Sequence, residues 1–109
     1  MLLTIRIISF DMTKSSRKFV VQRHQRADDL HWDLMLEKTN LLRTYRLPVF
    51  CPELSTCGCR AENIADHDIK FLSYEGTVNA GQGRVKIVDS GTFEIEKQQE
   101  NLFQINFFG

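Results

Sequence analysis

RHQRADDLHWDLMLE, from Arg23 to Glu37, alternates polar and apolar side chains through its second half. Successive side chains of a β-strand point to opposite faces, so a strand here puts His31, Asp33, Met35 and Glu37 on one side. Leu30, Trp32, Leu34 and Leu36 take the other. Imidazole and carboxylates against a wholly apolar face is the pattern of a strand that buries one side and presents a site on the other. Two residues apart on a strand, His31 and Asp33 have Cα atoms separated by roughly 6.5 Å, which lets both converge on one ion. An isolated HxD can equally be a solvated pair. The chain has only three histidines, however, and His24 and His67 also lie close to acidic residues, which favours a metal. His24 lies one short loop upstream, and a third ligand from a neighbouring strand would complete the set.

A chain of 109 residues is one domain, large enough for a modest core but not for a separate catalytic domain. Any site is therefore built on the scaffold itself. Fourteen basic and fourteen acidic residues balance, so no global field attracts nucleic acid or an anionic membrane, and nucleic-acid binding has to be local. The opening MLLTIRIISF is apolar but too short to span a bilayer, and it lacks a cleavage site. With Met12 beginning MTKSSRKF, the first eleven residues read as an extra edge strand or a misassigned translational start. Residues 1–16 are accordingly an N-terminal extension or edge strand, and 17–109 the domain proper. Nothing indicates secretion or a membrane, so a cytoplasmic location follows by default. Cys51, Cys57 and Cys59 are odd in number and clustered, which argues against a disulfide framework. Their spacing is not that of paired CxxC zinc hooks, so buried or loop thiols are the default.

No amphipathic helix stands out. Strands are expected at Lys18 to His24, Leu30 to Glu37, Leu41 to Leu47, Ile69 to Tyr74, Arg84 to Val88, Thr92 to Glu96 and Leu102 to Phe107, with turn chemistry between several of them. VKIVDSGTFEIE reads as the clearest hairpin, with Val85, Ile87, Phe93 and Ile95 available to a core face. Gly81, Gly83 and Gly91 are assigned to turns, since no helix follows AGQG to hold a phosphate. Val49 to Asn63 reads as a long central loop. Short strands and tight turns in a small domain predict a mainly β protein, a single-domain antiparallel β-barrel. The apolar NLFQINFFG at the end would be an aggregation liability if exposed.

FVVQRH, HWDLMLE and LRTYRLP, followed by DHDIKFLSYEG and GQGRVKIVDSGTFE, resemble the 3′-phosphoesterase module of DNA ligase D. That module's usual pattern is FVxQKH, LHYDFRLE, LKSWAVPKGP, EDHPLDYADFEG and GxGxVIVWDxGTWE. The resemblance runs in order from about Arg17 to Glu96. It implies a small β-barrel that uses a divalent metal, typically manganese, to process DNA 3′ ends during strand-break repair. Family enzymes remove a 3′-terminal ribonucleoside and then the remaining 3′-phosphate, alongside a ligase or end-joining partner. Carried across, the metal ligands are His24, His31 and Asp33, and the phosphate-contacting histidine is His67. Arg60 is the nearest match to a catalytic arginine upstream, one place off. Glu37 matches the acidic end of the RLE motif, with either an outer-shell or a strand-pairing role.

The departures are specific. Six residues, QRADDL, separate His24 from His31 where the family has five, which puts His24 one residue out of register; a one-residue insertion in a turn is entropically cheap and compatible with His24 keeping its place. Met35 replaces a phosphate-binding arginine, Val49 a lysine and Phe71 a tyrosine, and Ala65 stands where the family has an acid. Closing strands of the form LxGxKLxGxF have no counterpart, which leaves a truncated coding sequence or a shortened relative as the two readings. Arg43 and Arg46, flanking Tyr45, are candidates to bind substrate in compensation, as are Arg23 and Arg26 around His24. Their alternative role is solvated charge with stems covering the sheet. Trp32 and Tyr45 are assigned to core packing ahead of base stacking.

Two imidazoles and a carboxylate leave a divalent ion with net charge and open positions, suited to gripping a phosphate oxygen. A metal-dependent phosphoesterase is thus the leading reading. A catalytically weakened relative that binds nucleic-acid ends or a repair partner is the second, prompted by Met35, Val49 and Phe71. A cupin-type non-haem iron enzyme shares the donor set, but leaves FVVQRH and LMLE unexplained.

Overall fold

A computed structural model describes residues 2–9, 17–48, 58–99 and 102–108. The strands are β1 (Leu2–Ser9), β2 (Lys18–Arg26), β3 (Asp29–Lys38), β4 (Leu41–Leu47), β5 (Gly58–Asp68), β6 (Gly76–Val78), β7 (Gly83–Gln98) and β8 (Leu102–Phe108). They form one sheet in the order β2-β3-β4-β5-β1-β8-β7-β6, with an additional ladder between β2 and β7. Every pairing is antiparallel except β1 with β8, which is parallel. The expected antiparallel barrel is thereby met in its coarser content, a mainly β and mainly antiparallel sheet.

Several expectations change. β1 is a strand but not an edge, because it pairs with β5 on one flank and β8 on the other. That placement also gives the apolar final strand neighbours on both sides, β1 and β7, so its backbone polar groups are not left as an open template. The expected loop from Val49 to Asn63 ends earlier, since β5 begins at Gly58 and its register against β1 and β4 satisfies that backbone. Residues 49–57, including Val49, Cys51 and Cys57, lie outside the described residues.

Ile69–Leu72 is a 3-10 helix where a strand was expected. Asp68 caps it, its Oδ1 accepting from the Lys70 amide at 2.9 Å. This local bond competes with pairing in a sheet, as aspartate side chains do at turns. The expected hairpin at VKIVDSGTFEIE is instead one continuous strand. Gly83 and Gly91 lie inside it, and only Gly81, at φ +87°, serves a turn. The DSG signal is absorbed by an irregularity in the β2–β7 ladder, where Val21 faces Asp89 but Gln22 faces Ile87. One extra residue on β7 reverses which face its side chains take. Ile87 therefore packs in one apolar cluster, while Phe93 and Ile95 pack in the other.

These clusters cover the two faces of β2 and β3. On one face Phe19, Val21, Leu34 and Leu36 join Tyr45, Leu47 and residues of β7 and β8, with Trp32 packed against them. This is the apolar side expected of the HWDLMLE strand, although Leu30 at its tip stays 36% exposed. On the opposite face Val20, Met35 and Leu42 pack with Ile87 and with Ile69, Phe71 and Leu72 of the 3-10 helix. The face expected to be open is therefore roofed at its Met35 end. Gln22 holds the roof down: its buried amide donates to the carbonyls of Phe71 at 3.0 Å and Tyr74 at 2.9 Å.

Candidate metal centre

QRADDL forms the end of a tight hairpin, with Ala27 and Asp28 as its two turn residues and Ala27 at φ +47°. An even number of residues around a two-residue turn sets His24 directly opposite His31 in the β2–β3 ladder. The sixth residue thus defines the register that pairs the histidines, and does not push His24 out of place. One rung further, Gln22 faces Asp33, and Asp33 faces Arg46 of β4. Directly opposite residues share a face and have Cβ atoms roughly 5 Å apart, so these registers collect His24, His31, Asp33 and Arg46 on one side of the sheet.

The two imidazoles meet edge to face with centroids 4.6 Å apart. His24 Nδ1 lies 3.7 Å and His31 Nε2 3.5 Å from Asp33 Oδ2. One donor atom from each of the three residues falls within 4.8 Å of the others. Asp33 is 2% exposed, yet its surrounding nitrogens stand beyond good hydrogen-bond length. The atoms that face one another are His24 Nδ1, His31 Nε2 and Asp33 Oδ2; of these His31 Nε2 is buried without a hydrogen-bond partner. Leaving such a group unpaired is costly, and a cation held between the three facing atoms removes the cost. The residues present therefore fit a divalent metal.

Neighbouring groups prepare the donors. Asp29 Oδ2 accepts from His31 Nδ1 at 3.2 Å, which leaves Nε2 with a free lone pair, the arrangement found around metal-ligating histidines. Burial, and next the adjacent His31 ring, lower the pKa of His24 from its ordinary value, with Asp33 opposing them. His24 is thus held neutral, the form that ligates a metal. Gly83 makes room for it: a Cβ there would sit 2.9 Å from His24 Nε2. The sequence signal for this was the second glycine of AGQG, assigned above to a turn.

The other candidates divide. His67 faces Leu42 across the β4–β5 ladder and lines a cavity of about 90 Å³ together with His24, Asp33, Met35 and Phe71. Its Nδ1 donates to the Ala65 carbonyl at 3.0 Å, so Nε2 is the ring atom available to that cavity. Arg46 reaches the triad, with Nε 3.7 Å from Asp33 Oδ1. Arg60 lines a separate groove beside His31 and Arg46. Arg43 is not brought to the triad: alternation on β4 sends it to the opposite face, over the rings of Tyr45 and Phe103 at 5.8 and 5.6 Å. Glu37 is also removed from it, its Oε1 accepting from the Lys18 amide at 3.0 Å and closing the end of the β2–β3 ladder. Tyr45 and Trp32 pack in or against the core. Among the described residues no helix is long and apolar enough to cross a membrane.

The profile of the DNA ligase D 3′-phosphoesterase domain matches residues 22–107, from the middle of β2 to β8. The multifunctional non-homologous end joining protein LigD of Mycolicibacterium smegmatis is 36% identical over 88 residues, 78% of this chain and 11% of that protein. LigD of Mycobacterium bovis is 32% identical over 89 residues, covering 79% of this chain and 12% of that protein. LigD of Mycobacterium tuberculosis matches to the same extent. The chain thus corresponds to a small part of these relatives. With residues 22–107 matched and relatives at 32–36% identity over 78–79% of its length, the chain belongs to the DNA ligase D 3′-phosphoesterase domain family.

Proposed function

We propose that this protein is a metal-dependent 3′-phosphoesterase that processes DNA 3′ ends in strand-break repair, removing a terminal ribonucleoside and then the 3′-phosphate. The observation that carries the reading is the convergence of donor atoms from His24, His31 and Asp33 within 4.8 Å of one another, in a member of this family. Family membership also favours phosphoester chemistry over the non-haem iron chemistry that the same donor set allows. The β2–β7 ladder supports reading the sheet as rolled toward a barrel. Manganese is the proposed ion and a ligase or end-joining factor the proposed partner, which implies a cytoplasmic location.

When bound, a divalent ion supplies positive charge to a phosphate oxygen and lowers the pKa of water. The chain's own residues do the rest. Asp29 fixes the tautomer of His31, and the roof packs on Met35 beside the small cavity that Asp33 lines. His67, anchored through Nδ1, holds a phosphate oxygen or delivers a proton from Nε2 to the leaving oxygen when protonated. Release of phosphate from a 3′-phosphorylated primer with Mn²⁺, and its loss in His31→Ala, is the test. Pure protein that turns over no such end at any Mn²⁺ concentration rejects the reading.

A weakened relative that binds ends without efficient turnover is the second reading. It is favoured by the apolar packing of Met35 and Phe71 beside His67, where the resemblance implies anion contacts. Losing one such contact costs roughly 2.7–4 kcal/mol of transition-state stabilisation. DNA-end binding without hydrolysis, and hydrolysis gained in Met35→Arg, would distinguish it from the first.

A further inference from the structure

Among the described residues, two open spaces that border the triad differ in size and chemistry. The one on the His67 side has a volume of about 90 Å³ and apolar walls including Met35, Phe71 and Val78. That is room for a few waters. The groove on the other side, along β3, β4 and β5, measures about 420 Å³ and is lined by His31, Leu30, Arg46, Pro48, Arg60 and Glu62, with Asp29 at its edge. Sites for small organic ligands run from roughly 300 to 1,000 Å³. A nucleotide belongs to that size class, so of these two spaces only the groove takes one.

Arg46 joins the groove to the triad. It stands opposite Asp33 in the β3–β4 ladder, with its Nε facing Asp33 Oδ1 and buried without a hydrogen-bond partner, while the side chain as a whole is 41% exposed. A guanidinium carries five N–H donors in a planar fork. With Nε turned to the carboxylate, the terminal nitrogens are left for a second anion in the groove. Arg60 adds one cation, and Asp29 and Glu62 add two carboxylates. That mixture suits one phosphate accompanied by hydroxyl donors better than a run of phosphates. Leu30 and Pro48 supply apolar surface for a sugar or base.

Resting on the phosphoesterase reading above, we infer that the substrate's 3′-terminal nucleotide lies in the β3–β4–β5 groove, its phosphate held between the triad and Arg46. The small cavity beside His67 then takes only water or one phosphate oxygen. Arg46 is on this account a substrate-binding residue, and Met35 and Phe71 form a wall.

The test compares the binding, with Mn²⁺ present, of two oligonucleotides that differ only at the 3′ end, one carrying a non-hydrolysable phosphonate and the other a hydroxyl. The wild type prefers the phosphonate. Arg46→Ala reduces that preference at least tenfold without weakening Mn²⁺ binding, since removing a nearby cation does not disfavour a metal ion. Arg46→Lys restores part of it. Leu30→Glu, at an exposed position on the groove wall, weakens both oligonucleotides. A preference unchanged in Arg46→Ala but abolished in Phe71→Trp, which fills the small cavity, overturns the placement. Hydrolysis by a wild type whose preference ignores Arg46 overturns this inference alone. A wild type with neither preference nor hydrolysis overturns the inference together with the reading beneath it.

Discussion

The ring of His24 occupies the space a side chain on Gly83 would need, with Nε2 only 2.9 Å from the position of a Cβ there. Val78 Cγ2, at 3.2 Å, closes the same space from β6. Contacts shorter than about 3 Å to a methyl force something to move, and His24 is bound to a strand on both flanks, β3 and β7. Gly83→Ala therefore tilts the imidazole away from Asp33 while the backbone, which needs no positive φ at this residue, keeps its pairing. Mn²⁺ affinity is expected to fall roughly 10–100-fold, the range seen when the support of a ligand is lost. Calorimetric titration checks this beside a circular dichroism spectrum; unaltered affinity in a folded variant refutes it.

Asp29 acts through His31. Removing the acceptor from His31 Nδ1 frees the ring to flip and to place its proton on the nitrogen that faces Asp33. In Asp29→Ala, Mn²⁺ affinity should drop by a similar roughly 10–100-fold. Asp29 is exposed, so stability should change by less than about 0.5 kcal/mol. A large loss of stability with metal binding intact would assign Asp29 to the hairpin instead.

Gln22→Leu leaves the carbonyls of Phe71 and Tyr74 without the amide that pins them. A buried group stripped of its partner costs about 1–3 kcal/mol, and denaturant unfolding should show a loss of that size. Hydrogen exchange should rise first across residues 69–75. Uniform exchange and an unmoved midpoint would show that Gln22 does not hold the roof.

Folding should depend on pH through His24. Its pKa is lowered in the folded protein, chiefly by burial and by His31, from the ordinary 6.5. Between the two values the unfolded chain binds the extra proton, so stability of the metal-free protein is full above about pH 6.5 and is lost as pH falls toward the folded pKa. Midpoints measured at about pH 7.5 and about pH 5.5 should differ in that direction, and His24→Gln should shrink the difference. An undiminished difference in the variant would assign the effect to other groups.

Part of the site was legible because strand alternation is a local rule, and it put His31 and Asp33 on one face from spacing alone. His24 entered only through the family resemblance, because its strand was expected to end there and the two-residue turn that pairs it with His31 is seen only in the structure. What escaped was set by distant contacts. Ile69 to Tyr74 has strand composition, but the Asp68 cap and the Gln22 amide, 49 residues from Phe71, make part of it a roof. VDSG has turn composition, yet β2 supplies a partner along its length and the extra residue becomes a bulge. Arg43 and Arg46 look equivalent in LRTYRLP, and only their three-residue offset, which on a strand means opposite faces, separates a core-covering arginine from one at the triad.

Anomalous scattering at the manganese edge, from crystals of the wild type soaked in Mn²⁺, tests the central claim most directly. A single strong peak enclosed by His24, His31 and Asp33 is the predicted result. Saturating Mn²⁺ with no density there, or with the ion held by other side chains, would contradict it.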